Sequence, residues 1–307
     1  METDAFFSAR GKVLHGFERF LDEMAQTETP CIWLSGWTRA QLDEPRRRLG
    51  QNDPFIGESG CGVYLPEDYF HLKGAKTIRL GRYTCIPIAK PQPAAAEAVD
   101  ELASDLNISV VPLRTLSPRE LSQNTGLPAR EAELLRLRDF DELFFFAGAG
   151  DDDIRKFQLE AKLRGCTVRR ADSFWSLACG ADLARCVREL GGLYDRALRS
   201  HAARVGVHVV PKTSEESLQD EMWPQSAFDR TLRVAQHLET QRVPRGSEHT
   251  EEADDRTEAD AVEPEELEPR KSIQAKTNKF YLHAPDVWES VINSIKNQTP
   301  ASRPGRS

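Results

Sequence analysis

The chain has 307 residues, enough for one large or two ordinary domains, and 39% of them are hydrophobic, so a sizeable core can form. Its net charge of −8 is uneven: residues 246–270 hold eleven Asp and Glu against Arg256 and Arg270, a local −9 that leaves about +1 for the remainder. A near-neutral folded part with no large basic patch argues against nucleic acid as a partner, and the strongest apolar run, Leu143 to Gly150, is too short to span a bilayer.

The first residues carry Glu2 and Asp4 and no long apolar core, so no secretory signal is expected. Six cysteines (Cys31, Cys61, Cys85, Cys166, Cys179 and Cys186) are scattered without a Cys-x-x-Cys pair. They signal neither a zinc site nor a disulfide framework. The expectation is a soluble cytoplasmic protein with reduced thiols.

In chain order, Leu14, Phe17, Phe20, Leu21 and Met24 recur at three and four residues, which predicts an amphipathic helix. Cys31 to Leu34 is a short apolar run ending at Ser35-Gly36, a buried parallel strand with a polar tip. Thr38 is placed to cap a helix over 39–49, closed by Gly50. Phe55-Ile56 and Val63-Tyr64-Leu65 flank Gly57-Glu58-Ser59-Gly60, which reads as strand, Gly-rich turn, strand. The alternation of helix and strand predicts an α/β sheet.

Further along, Thr77 to Leu80 predicts a strand, 94–106 a helix and Ile108 to Val111 a strand. Ser117-Pro118-Arg119-Glu120 is a helix start with a capping box. Helices over 129–138 and 151–164 flank a strand at Leu143 to Ala147, and strands follow at Cys166 to Val168 and Phe174 to Leu177. This is an α+β unit inserted into the first sheet. A helix over 182–199 and a strand at Val205 to Val210 complete the folded part. From about residue 244, Glu, Asp, Thr and Pro dominate, and disorder is expected. One island, Val287, Trp288, Val291, Ile292 and Ile295, predicts a short helix that docks on its own core or serves as a partner-binding motif.

Five stretches in series resemble the mannosyl-3-phosphoglycerate phosphatase branch of the haloacid dehalogenase superfamily. They are Leu34-Ser35-Gly36-Trp37-Thr38-Arg39-Ala40, two motifs within Asp53 to Phe70 (the second ending it as Pro66-Glu67-Asp68-Tyr69-Phe70), Asn124-Thr125-Gly126-Leu127 and Arg138-Asp139-Phe140-Asp141-Glu142; Gly180-Ala181-Asp182-Leu183-Ala184 resembles a further run of the family without its Lys. The resemblance implies a doubly wound, Rossmann-like core (1–78 and 178–243), incomplete here, an inserted α+β cap (79–177) and a tail (244–307) with a helix near 286–296. It implies a magnesium-dependent phosphatase that forms an aspartyl phosphate on a phosphorylated sugar. Laid on the family pattern, Asp4 is nucleophile and metal ligand, and Ser35 holds the phosphoryl group. Thr38, Arg39, Glu58, Ser59, Gly60, Arg138 and Asp182 contact substrate.

The sequence also departs from that pattern. The family's Asp-x-Asp-Gly-Thr becomes Asp4-Ala5-Phe6-Phe7-Ser8, so a phenylalanine, which cannot move a proton, replaces the acid/base Asp, and no strand precedes Asp4. Leu183 stands at the position of the phosphate-binding Lys. After Tyr194 a segment of about twenty residues that would carry the acidic metal ligands is missing, judged by usual strand-loop-helix lengths. The expected function is a phosphatase-like protein with impaired chemistry, or alternatively an inactive relative with a binding or regulatory role.

Overall fold

The computed structural model describes residues 1, 3, 13, 16–72, 74, 76–171, 174–210, 223–235, 279–281 and 287–296. In chain order the elements are α1 (Phe17–Gln26), β1 (Trp33–Leu34), α2 (Arg39–Arg48), β2 (Phe55–Gly57), β3 (Gly62–Leu65), β4 (Ile78–Leu80) and β5 (Tyr83–Pro87). There follow α3 (Gln92–Leu106), β6 (Val110–Pro112), α4 (Pro118–Thr125), α5 (Ala129–Arg136), β7 (Glu142–Phe146), α6 (Asp151–Leu163), β8 (Cys166–Ala171) and β9 (Phe174–Cys179). The last are α7 (Leu183–Leu198), β10 (Val205–Val210), β11 (Arg230–Ala235), β12 (Lys279–Tyr281) and α8 (Val287–Lys296).

The first sheet has the order β1-β2-β3-β5-β4. β1 and β2 run parallel, and β2, β3, β5 and β4 are antiparallel neighbours. Successive side chains on a strand point to opposite faces. Trp33, Phe55 and Tyr64 therefore meet α1 and α2 through Phe17, Phe20 and Leu42, while Leu34, Ile56, Val63 and Leu65 meet α7 through Val187, Leu190 and Leu193. Both faces are covered, which is why these strands read as apolar runs rather than alternations.

The inserted unit is an antiparallel sheet of order β6-β7-β9-β8. α3 and α6 bury Val99, Leu102 and Phe157 against Phe144 and Leu177. α4 and α5 bury Leu121, Ala132 and Leu135 against Leu143 and Phe174. The molecule is thus a mixed α/β protein with a doubly covered core and an α+β cap. The predicted capping box forms: Ser117 accepts from the Glu120 N–H, and Glu120 accepts from the Ser117 N–H at 2.8 Å.

Four expectations need correction. Residues 79–87, placed at the start of the cap, belong to the first sheet: β5 pairs with β3 and β4 with β5, and Tyr83 and Cys85 bury their side chains beside Phe55 and Tyr64 in the core. Cys166 and Cys179 form a disulfide. They stand directly opposite each other on β8 and β9, a pairing across a hairpin that spacing alone does not reveal. The start of the chain is not without a scaffold. Leu34 N–H donates to the Met1 carbonyl at 2.8 Å, so Met1 lies alongside β1 and Thr3 is buried.

The fourth correction concerns the tail. β12 adds a parallel third strand to β10-β11, with Arg233 opposite Lys279. α8 packs on α1: Trp288 lies 5.0 Å from the Phe17 ring and 5.2 Å from the Phe20 ring, and Lys296 pairs with Glu23 at 2.6 Å. Of the two readings of this helix, docking on its own core is the one these contacts bear out. The acidic stretch 246–270 lies outside the described residues.

Candidate functional site

The first element of the site is the turn after β1. Ser35 donates its N–H to Ile56 O, and its hydroxyl accepts from Trp37 N–H at 3.0 Å and lies 3.0 Å from Thr3 Oγ1. Thr38 caps α2, accepting from Gln41 N–H at 3.0 Å and donating its hydroxyl to Leu134 O of the cap at 3.1 Å. Arg39, at the first position of α2, pairs with Asp139 at 3.2 Å. Each of these side chains is spoken for by a neighbour in the fold.

The second element is the β2–β3 turn. Glu58 and Ser59 both take positive φ (48° and 54°), and Gly60 follows at 96°. This bends the chain so that the Glu58 carboxyl, 1% exposed, turns towards the cap. There it accepts from three consecutive backbone N–H groups: Asp139 and Phe140 at 2.8 Å and Asp141 at 3.0 Å. Burial, then the neighbouring Asp141 carboxylate, push its pKa up to about 8, while Arg138 and the N–H donors pull the other way.

The third element is the 138–141 loop itself. Arg138 is bidentate on Asp141 and donates to Gly36 O at 3.0 Å. Ser176 of β9 donates to Asp141 at 2.7 Å. Asp182 caps α7 by accepting from Arg185 N–H at 2.8 Å. Ser35, Thr38, Arg39, Glu58, Ser59, Gly60, Arg138 and Asp182 therefore all gather at the seam between core and cap. Asp4 lies outside the described residues.

Sequence reasoning missed Asp139, Asp141 and Arg169. The first two stand inside the Arg138 to Glu142 stretch, so the signal was present but only Arg138 was read. Arg169 lies on β8, and its Nη1 donates to Ser59 O at 2.6 Å. Nothing at the level of spacing links it to the turn 110 residues away.

Gly60 is the point at which the seam touches α7. A Cβ there would stand 2.7 Å from both the Cα and the N of Leu183, and its φ is one that side chains rarely adopt. Neither obstacle is a flexible side-chain end. Gly60→Ala is expected to lose more than about 2 kcal/mol, read as a lower midpoint in urea denaturation.

Magnesium does not fit the described part of the site. No group of three His, Cys, Asp or Glu among the described residues could hold a metal ion. The seam carboxylates of Glu58, Asp139 and Asp141 are engaged by backbone N–H groups, Arg39 and Arg138.

No family model matches the chain. Among curated proteins it is similar to the glucosyl-3-phosphoglycerate/mannosyl-3-phosphoglycerate phosphatase of Methanococcoides burtonii, 24% identical over 174 residues, which are 57% of this chain and 64% of that protein. It is also similar to the mannosyl-3-phosphoglycerate phosphatase of Pyrococcus furiosus, 24% identical over 189 residues, 61% of this chain and 74% of that protein. The chain thus spans less than two thirds of the first of these relatives. A haloacid dehalogenase-like hydrolase structure from B. subtilis aligns with a TM-score of 0.45 and 15% identity over 75% of this chain and 85% of that one, a likeness too loose to argue from. By sequence, the chain is a distant relative of the mannosyl-3-phosphoglycerate phosphatases.

Proposed function

We propose that the chain is a haloacid dehalogenase phosphatase-like protein that takes a phosphorylated sugar at the core–cap seam, with its hydrolytic chemistry weakened. The family reading draws on the relatives named above. The weakening draws on one observation: the seam's charged groups are spent on one another and on backbone N–H groups. Arg138 is held by Asp141, Arg39 by Asp139, and Glu58 by three N–H groups. A phosphoryl-transfer site needs cations and hydroxyls that point at the transferred group. Leu183 supplies neither.

A second reading is a binding or regulatory protein that retains the seam and no turnover. It is favoured by the same internal pairing. The two separate in an assay with magnesium and p-nitrophenyl phosphate. The hydrolase reading expects slow turnover that Asp4→Asn lowers by at least about a hundredfold, the scale on which loss of a nucleophile acts. No turnover above the buffer rate would leave the binding reading.

A further inference from the structure

A cleft of about 560 Å³ opens beside the seam, lined by Thr167 and Arg169 of the cap, Asp182 to Ala184 at the start of α7, and Trp223 to Ser226 opposite. Thr167 and Arg169 are two apart on β8 and so share a face, while Arg170 points the other way, over the Trp175 ring at 5.7 Å. The guanidinium of Arg169 is the cation of this wall. Its Nη1 donates to Ser59 O, and its Nε is buried with no hydrogen-bond partner among the described residues. Partial burial lowers its pKa. The acid in the cleft, Asp182, is committed to capping α7 through Arg185 N–H and lies 3.9 Å from Arg188.

A partly buried guanidinium with an unpaired N–H costs stability unless a partner supplies an acceptor. An oxyanion does so with two oxygens in the plane of the guanidinium fork. We propose that Arg169 is the anion-binding residue of this cleft, holding a phosphoryl or carboxylate group, with the Thr167 and Ser226 hydroxyls on the same cleft as further donors. It assigns to the cap a role that the resemblance gave to the core position now held by Leu183. The proposal rests on reading the seam as a ligand site, not on hydrolysis there.

The test is calorimetric titration of the full chain, without magnesium, with inorganic phosphate and separately with glycerate. The two probes distinguish a phosphoryl from a carboxylate ligand. Arg169→Met is expected to weaken the bound anion at least about tenfold, the scale of one charge-assisted hydrogen bond. Arg169→Lys keeps the charge without the fork and is expected to fall between. Ser226→Glu leaves Arg169 untouched, sets a like charge to the anion on the exposed opposite wall, and is expected to weaken binding several-fold. Arg170→Met is expected to bind as the parent does. Binding by neither probe, or equal binding by the parent, Arg169→Met and Ser226→Glu, would overturn the proposal. Arg169-dependent binding without any turnover would uphold it while removing the hydrolase reading, so the two fail separately.

Discussion

Glu58→Ala is expected to lower stability by about 3–5 kcal/mol, the scale on which one partner of a buried polar network is lost. The variant leaves the N–H groups of Asp139, Phe140 and Asp141 buried without an acceptor. It also removes the link by which the β2–β3 turn of the core grips the cap. Urea denaturation reads the loss. Glu58→Gln keeps one acceptor oxygen and turns an NH2 towards the same donors, so a smaller loss is expected. The pH dependence has a definite sign. The folded pKa is raised from the usual 4.5 to about 8, so this group takes up a proton on folding within that window. Its stabilising contribution is full below 4.5 and falls as pH rises towards 8. Stability of the parent relative to Glu58→Gln is therefore expected to decline across that range.

The Glu58 clasp also shows how far sequence could reach. Phe55-Ile56, the Gly-rich turn and Val63-Tyr64-Leu65 could be read as strand, turn, strand because apolar runs and glycines carry that information locally. The resemblance placed Glu58, Ser59 and Gly60 at the cleft, and they lie at the seam. What they do there was hidden. A carboxyl that accepts three N–H groups 81 to 83 residues away is a tertiary event with no periodic signature. The same reason hid the Cys166–Cys179 pairing and the contact of Arg169 with Ser59. The helix around Trp288 was legible from its spacing, but its docking site was not. Its target, Phe17 and Phe20, lies on a helix at the other end of the chain.

Trp288→Ala is the second large effect, expected to cost about 3–5 kcal/mol and to lower the melting temperature by roughly 10 °C. Trp288 is 4% exposed and sits between Phe17 and Phe20, with Val291 and Ile292 beside it in the same buried cluster. A residual cavity between α1 and α8 would remain, and the polar ties of α8 cannot fill it. Those ties are Lys296 to Glu23 and Arg230 to Ser294 O at 2.9 Å. Glu289→Ala, on the exposed side of the same helix, is expected to leave the melting temperature unchanged. Removal of residues 279–307 should cost more than Trp288→Ala, since it also strips β12 from β11 and bares an apolar strand edge. An unchanged melting temperature for either variant would mean that α8 is not part of the folded core.

Loss of the Trp288 contact should leave the hydrogen bonds of the seam intact, because α8 makes none of them. Arg138, Asp141 and Glu58 interlock core and cap through atoms that α8 does not touch.

That interlock is tested most directly by amide hydrogen exchange at Asp139, Phe140 and Asp141. In the parent protein all three are expected to exchange slowly, as amides bonded to a buried acceptor do. In Glu58→Ala they should speed up by at least about a hundredfold, while the β8–β9 amides of Thr167 and Ala178, a hydrogen-bonded pair of the ladder within the cap, keep their protection. Fast exchange at 139–141 in the parent, or equal rates in both proteins, would contradict a cap held to the core by Glu58.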